Sequence, residues 1–196
     1  MKRYMFMIVL LVLLSCPSLS GSQEFDHGAT GTLNHDYFNS DAVVQRLRAN
    51  VDVNHTKPLF ENVAHGKMSN AIEEINYILA RFPNHVQALS MTTAVAKLTK
   101  NQAFGIPFYE RATNMFPRYA VTHAQYGKYL VDLDQTAAGI ERLKKAVEMD
   151  PKLAPAYAWL AGAYLKSGNV ELARESAAKA REFGFQGKLP DETSPH

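Results

Sequence analysis

Three prolines set the frame of this chain. Pro83, Pro117 and Pro151 stand 34 residues apart each time, in the segments ARFPN, NMFPR and EMDPK. Each closes a stretch whose apolar residues recur at helical spacing. Proline lacks an amide hydrogen and pushes the residue before it out of the helical region, so each of the three forces a break. A fixed period of this length marks an array of supersecondary units that bury their apolar faces against one another.

Laying the units over each other at that period gives consistent columns. Tyr126 falls over Leu160, Leu130 over Tyr164, Gly139 over Ala173 and Ala146 over Ala180, while Ala71 and Gly105 join the column of Ala173 and Ala112 joins that of Ala146. Small residues at fixed places let antiparallel helices approach closely, and large apolar residues at i, i+3 and i+4 spacing fill the gap between neighbours.

These residues resemble the tetratricopeptide repeat, a helix-turn-helix unit of this length. The last unit matches best, through Tyr157, Leu160, Tyr164, Gly168, Ala173 and Ala180, with Ala161 where the consensus has glycine; Gly127 holds that glycine column in the unit before. The resemblance implies an all-α fold, a right-handed α-solenoid of about four units, over residues 56–187. Two earlier units depart from the pattern. Pro107 predicts that one second helix begins late, near Ile106, with proline in its first turn, and Pro58 predicts a short leading helix from Lys57 to His65 before Gly66 turns the chain.

Ahead of the array, Asn39-Ser40-Asp41 offers a helix cap before AVVQRLRANV, in which Val43, Val44, Leu47 and Val51 share a face. Residues 40–55 are therefore expected to form a capping helix and linker, and residues 23–39, polar and glycine-containing, a flexible arm into which Tyr37 and Phe38 could tuck. Residues 188–196 are expected to form a disordered tail. It is too short and polar for a closing helix, which leaves the carboxy-terminal end face as a candidate oligomerisation surface.

The amino terminus sets the expected location. Lys2 and Arg3 precede an apolar run from Met5 to Leu14, much shorter than the roughly 18 residues that cross a bilayer as a stable helix. Residues 1–22 read as an export signal, with cleavage after Ser20 or Ser22 and a periplasmic product. Leu13-Leu14-Ser15-Cys16 also resembles a lipobox, so the alternatives are lipidation of Cys16, which would tether a structural lipoprotein to the membrane, or secretion. Pro17, directly after the cysteine, speaks for ordinary cleavage.

Composition removes other classes. The 21 Lys and Arg residues face 19 Asp and Glu, and loss of Lys2 and Arg3 with the signal leaves a neutral chain without a basic run, unsuited to nucleic acid. Cys16 is the only cysteine, so the exported chain has neither a disulfide nor a thiolate metal site. No HExxH, glycine-rich phosphate loop, haem-attachment sequence or nucleophile elbow occurs, and His27 and His35 have no carboxylate at metal spacing. No cofactor or metal is expected. His55, His65 and His85 fall at helix ends or loops, where solvated side chains are expected, and His123 shares a packing column with Tyr157. Asn54-His55-Thr56 forms a glycosylation sequon, relevant only in a eukaryotic secretory pathway.

In the solenoid that the resemblance implies, the first helix of each unit lines the concave side. One helical stripe then gives Phe60 and Val63, Ser90, Ala94 and Lys97, Ala124, Lys128 and Val131, and Ala158, Gly162 and Leu165, with Trp159 flanking it. The stripe is small and apolar with two lysines, which suits an extended peptide or a partner helix. The Lys and Asn clamp of chaperone-binding relatives is missing, since Ser90, Ala94, Ala124 and Ala158 stand in its place. Trp159 is either an anchor for the partner or a packing residue against the preceding unit. The expected function is thus a non-catalytic scaffold for a protein or peptide partner in the cell envelope. The alternatives are the tethered lipoprotein and a cell-envelope hydrolase that joins His123 to a carboxylate and a hydroxyl from separate units.

Overall fold

The computed structural model describes residues 33–190. The expected signal, Cys16 with its competing fates, most of the expected arm and residues 191–196 lie outside the described residues. All regular structure within them is helical: α1 (Ala42–Val51), α2 (Lys57–Ala64), α3 (Met68–Arg81), α4 (Val86–Leu98), α5 (Ile106–Met115), α6 (Ala120–Asp132), α7 (Thr136–Met149), α8 (Ala154–Lys166) and α9 (Val170–Glu182). Four helix-turn-helix pairs, α2/α3, α4/α5, α6/α7 and α8/α9, follow α1. The first helices of successive pairs touch, α2 on α4, α4 on α6 and α6 on α8, and so form one wall.

The proline period is visible in the backbone. Phe82, Phe116 and Asp150, each directly before one of the three prolines, leave the helical region with φ of −130°, −127° and −134°, as steric pressure from the following ring requires. The turn inside each pair repeats at the same interval. Gly66, Lys100, Asp134 and Gly168, spaced by 34 residues, all take left-handed φ, at 70°, 57°, 62° and 80°. Helix α5 begins at Ile106 with Pro107 in its first turn, where a missing amide hydrogen costs little.

Asp41 caps α1 through Oδ1, which accepts from the amides of Val43 at 2.8 Å and Val44 at 3.2 Å. The linker expected after α1 is itself helical, since a π-helical turn over Asp52–Thr56 carries α1 directly into α2. Pro58 supplies the reason. Within a helix its ring would strike the carbonyl four residues back and it can make no bond there, and a wider turn relieves both faults. The Lys57 amide accordingly donates to the carbonyl of Asp52, five residues back.

Residues 33–39 of the expected arm are docked. The amides of Asn34 and His35 donate to the carbonyls of Ala80 and Arg81 at 3.1 and 2.7 Å, and Tyr37 lies edge-on to Phe82 with ring centroids 5.9 Å apart. Asp36 ties this segment to two interhelix loops, accepting from Asn84 Nδ2 at 2.8 Å and from the Tyr119 hydroxyl.

Two apolar cores run along the array. The first is built by residues from α1 to α6, among them Leu59, Ile75, Phe82, Leu89 and Tyr109; the second, by residues from α6 to α9, among them Leu143, Ala146, Tyr157 and Leu160. Helix α6 serves both, with Tyr126 and Tyr129 in the first and Ala124 and Val131 in the second. Phe185 and Leu189, beyond α9, pack against the second core and partly cover the carboxy-terminal end face.

Candidate functional site

The wall formed by α4, α6 and α8 opens into a hollow of about 390 Å³. Ser90, Ala94 and Lys97 of α4, Lys128 of α6 and Trp159 of α8 line it, so five residues expected from the sequence meet there. Met91, Thr93, Tyr109, Gln125 and Asp132 complete the walls. A second hollow of about 340 Å³ adjoins it through Thr93, Lys97 and Asp132 and reaches Lys100, Gln102 and Tyr129.

The lining follows rows set by the period. Met91, Gln125 and Trp159 are 34 residues apart and all line the larger hollow, as do Ala94 and Lys128 of the row that ends at Gly162. Carrying Trp159 back by one and two periods is the sequence signal that leads to Gln125 and Met91. Asp132 has no such signal, because its importance depends on two lysines from different helices.

Electrostatics in the hollow centre on Asp132. Lys128 Nζ donates to its Oδ1 at 2.5 Å and Lys97 Nζ to its Oδ2 at 3.0 Å. Burial raises the Asp132 pKa, but the hydrogen bonds and charges of the two lysines outweigh it and hold the carboxyl below its usual 3.8. One carboxylate against two lysines leaves the hollow basic. Gln125 adds an unmet acceptor: Nε2 donates to the Val86 carbonyl at 2.8 Å, while Oε1 is buried with no hydrogen-bond partner. A buried carbonyl oxygen without a donor costs about 1–3 kcal/mol.

A tetratricopeptide-repeat family model matches residues 130–186. That segment carries the tetratricopeptide-repeat pattern. The matched span runs from the end of α6 through α9, the part in which the sequence columns are cleanest. Among solved structures, MamA (residues 41 to end) from Desulfovibrio magneticus RS-1 is similar at 23% identity, over 72% of this chain and 82% of that one, with a TM-score of 0.50. Another MamA crystal structure is similar at 19% identity over 72% and 85% of the two chains, also with a TM-score of 0.50. These likenesses are of fold. No curated protein matches the chain.

Within the helical array the other expected groove residues are placed differently. Ala124, Val131 and Ala158 are buried in the second core, because α6 and α8 press together along that side, and their side chains are closed to a partner. Phe60 is exposed and Val63 packs against the first core, both on α2 and away from the hollow. Leu165 is half-buried. Gly162 lies beneath Pro190, a Cβ at Gly162 falling 3.6 Å from Pro190 Cγ.

The histidines of the array are occupied structurally. His85, expected to be solvated, is fully buried. Its Nδ1 caps α4 by accepting from the Ala88 amide at 3.1 Å, so Nε2 carries the hydrogen and donates to Asp52 Oδ1 at 2.9 Å. Burial lowers its pKa below 6.5 in spite of the carboxylate. His123 is also buried, and its Nε2 bonds to the Pro117 carbonyl at 2.9 Å; no carboxylate or hydroxyl is hydrogen-bonded to it. His55 is half-buried, bonding Glu74 at 2.8 Å and stacking on Tyr77. Among the described residues no three His, Cys, Asp or Glu side chains gather as a metal site, and no helix is long and apolar enough to cross a membrane.

Proposed function

We propose that the chain is an exported, non-catalytic interaction scaffold that holds an extended peptide or partner helix of a cell-envelope protein in the hollow across α4, α6 and α8. The observation that carries this reading is the convergence of Ser90, Ala94, Lys97, Lys128 and Trp159, from three successive first helices, on one basic, partly apolar concavity. Elongated concave walls of this kind suit peptide backbones and amphipathic helices. The engagement of both His85 nitrogens, and the buried position of His123, support the non-catalytic part of the reading.

A photo-crosslinking residue at Ser90, compared with one at Glu141 on the outer face of α7, tests it in the intact envelope. A defined partner captured from Ser90 and lost with Lys128→Glu is expected. Equal capture from both positions would overturn the groove assignment.

Export with ordinary signal cleavage is supported by the Lys2-Arg3 start, the apolar run from Met5 to Leu14 and the position of Pro17. Mass spectrometry of the mature amino terminus distinguishes the two fates: a chain beginning at Gly21 or Gln23 is expected, and an acylated Cys16 would place the scaffold on a membrane instead.

A further inference from the structure

One turn breaks the regularity of the four pairs, and a cavity lies beside it. Three pairs turn between their helices in three residues, 65–67, 133–135 and 167–169, whereas the α4/α5 turn takes the seven residues 99–105. Counted by the period from Met68, Thr136 and Val170, a regular second helix would start at Gln102. Instead the amides of Phe104 and Ile106 donate only three residues back, to the carbonyls of Asn101 and Ala103, both at 3.1 Å, and α5 starts at Ile106 with Pro107 in its first turn. Tyr129 braces the unwound segment. Its hydroxyl accepts from the Gly105 amide at 2.8 Å and donates to the Gln102 carbonyl at 2.5 Å, which Val95 and Ala163, its counterparts one period away, have no group to do. The smaller hollow, of about 340 Å³, opens beside this brace, within the size range of small-molecule sites.

Its walls are of two kinds. Ala96 and Tyr129, both buried, and Leu133 supply apolar surface, while the exposed Lys97 and Lys100 supply charge. Asp132 holds Lys97 through Oδ2 and Lys128 through Oδ1, so Lys97 can turn to a ligand and leave the carboxylate paired. Lys100 has no ion pair among the described residues. It also keeps a left-handed φ of 57° where Gly66 and Gly168 stand in the outer units, so a cation is held over the hollow against the backbone preference for glycine, the pattern of strain retained at a functional position. We propose that this hollow binds a small organic acid, with its apolar body against Ala96, Leu133 and the Tyr129 ring and its carboxylate between Lys97 and Lys100. An inorganic anion would leave the apolar wall uncovered, and a neutral ligand would forgo both ammonium groups. The site does not rest on the groove reading, since it needs no peptide.

Benzoate, 2-naphthoate and octanoate, which span one ring, two rings and a flexible chain, are the probes, each titrated into the full chain and followed by amide NMR and equilibrium dialysis. At least one should bind once per chain with a Kd of about 1 mM or below, shifting the amides of Gly105 and Leu133. The uncharged 2-naphthamide should bind at least about tenfold more weakly than 2-naphthoate, the equivalent of one charge-assisted contact. Lys100→Gly is the decisive variant, because it relieves the turn and so folds at least as well as the parent; it should weaken binding of the acid about tenfold or more, and Lys100→Arg should restore most of it. No saturable binding of any of the three acids, equal affinity for the amide, shifts confined to residues away from Gly105 and Leu133, or unchanged affinity in a folded Lys100→Gly chain would each overturn the proposal.

Discussion

Gly127 of α6 and Gly139 of α7 face each other with no room for a side chain on either: a Cβ on Gly127 would fall 2.8 Å from the Gly139 carbonyl oxygen, and one on Gly139 would fall 2.7 Å from that of Gly127. The obstruction is backbone on both sides, so rotamer changes cannot relieve it. The two helices owe their close approach to this pair, and α6 carries both Lys128 and Gln125 into the hollow.

Gly127→Ala and Gly139→Ala are therefore each expected to destabilise the chain by about 3 kcal/mol or more, the upper range for an overpacked core. For a domain of this size that corresponds to a fall in melting temperature of about 10 °C, readable by circular dichroism. Gly162→Ala is the control: its Cβ would meet only Pro190 Cγ, at an ordinary 3.6 Å, and its melting temperature should hold.

The left-handed turn residues make an opposite prediction. Lys100 and Asp134 hold φ of 57° and 62° where Gly66 and Gly168 stand in the outer units, and a side chain in that region costs roughly 1 kcal/mol. Lys100→Gly should stabilise the chain by about that amount, and Gly66→Ala should destabilise it similarly. No atom lies within 4 Å of a Cβ built on Gly66, so the measured change in urea unfolding isolates the backbone.

Much of this fold was legible in the sequence because the period constrains everything that obeys it. The pre-proline breaks, the Asp41 cap, the late start of α5 and the close-packed glycines each follow from a local rule applied at a known position. The groove was legible only in part. Ser90, Ala94, Lys97, Lys128 and Trp159 met as the stripe implies, yet Ala124, Val131 and Ala158 shared that stripe and are buried. Periodicity assigns a residue to a face; how tightly the neighbouring helix covers that face depends on volumes summed over both. The docking of residues 33–39 was hidden for a related reason, since Asp36 finds Asn84 and Tyr119 across separations of 48 and 83 residues.

That docking is itself testable. Asp36 accepts from Asn84 Nδ2, the Tyr119 hydroxyl and the Phe38 amide, and these bonds hold its carboxyl below the usual 3.8 against the raising effect of burial. Asp36→Ala should release the segment, so that hydrogen exchange at the amides of Asn34 and His35 accelerates while that of α6 and α7 is unchanged. Retained protection at both amides would show that the backbone bonds to Ala80 and Arg81 suffice without it.

Acid should weaken the array in a defined window. Burial lowers the pKa of His85 and of His123 below 6.5 in the folded chain. Below pH 6.5 the unfolded chain therefore binds protons that the folded chain refuses, and stability falls as pH drops toward the folded values. Each histidine contributes a slope of at most about 1.4 kcal/mol per pH unit. Urea unfolding between about pH 7 and pH 5 should show this decline, and His123→Gln should flatten it by one proton. A slope unchanged in that variant would leave His85 as its source.

Trp159 carries the sharpest functional consequence. It is half-buried, packed against the second core and exposed to the larger hollow, so both readings open in the sequence apply to parts of one side chain. An aromatic at the centre of an interface commonly contributes 2 kcal/mol or more, about thirtyfold in affinity. Trp159→Ala should thus keep the helical content and a cooperative melt while weakening partner capture by at least that factor. Trp159→Phe, which keeps the ring contact with the core and much of the apolar wall, should recover most of the loss. Capture equal to that of the parent chain in a folded Trp159→Ala protein would assign the residue to packing alone.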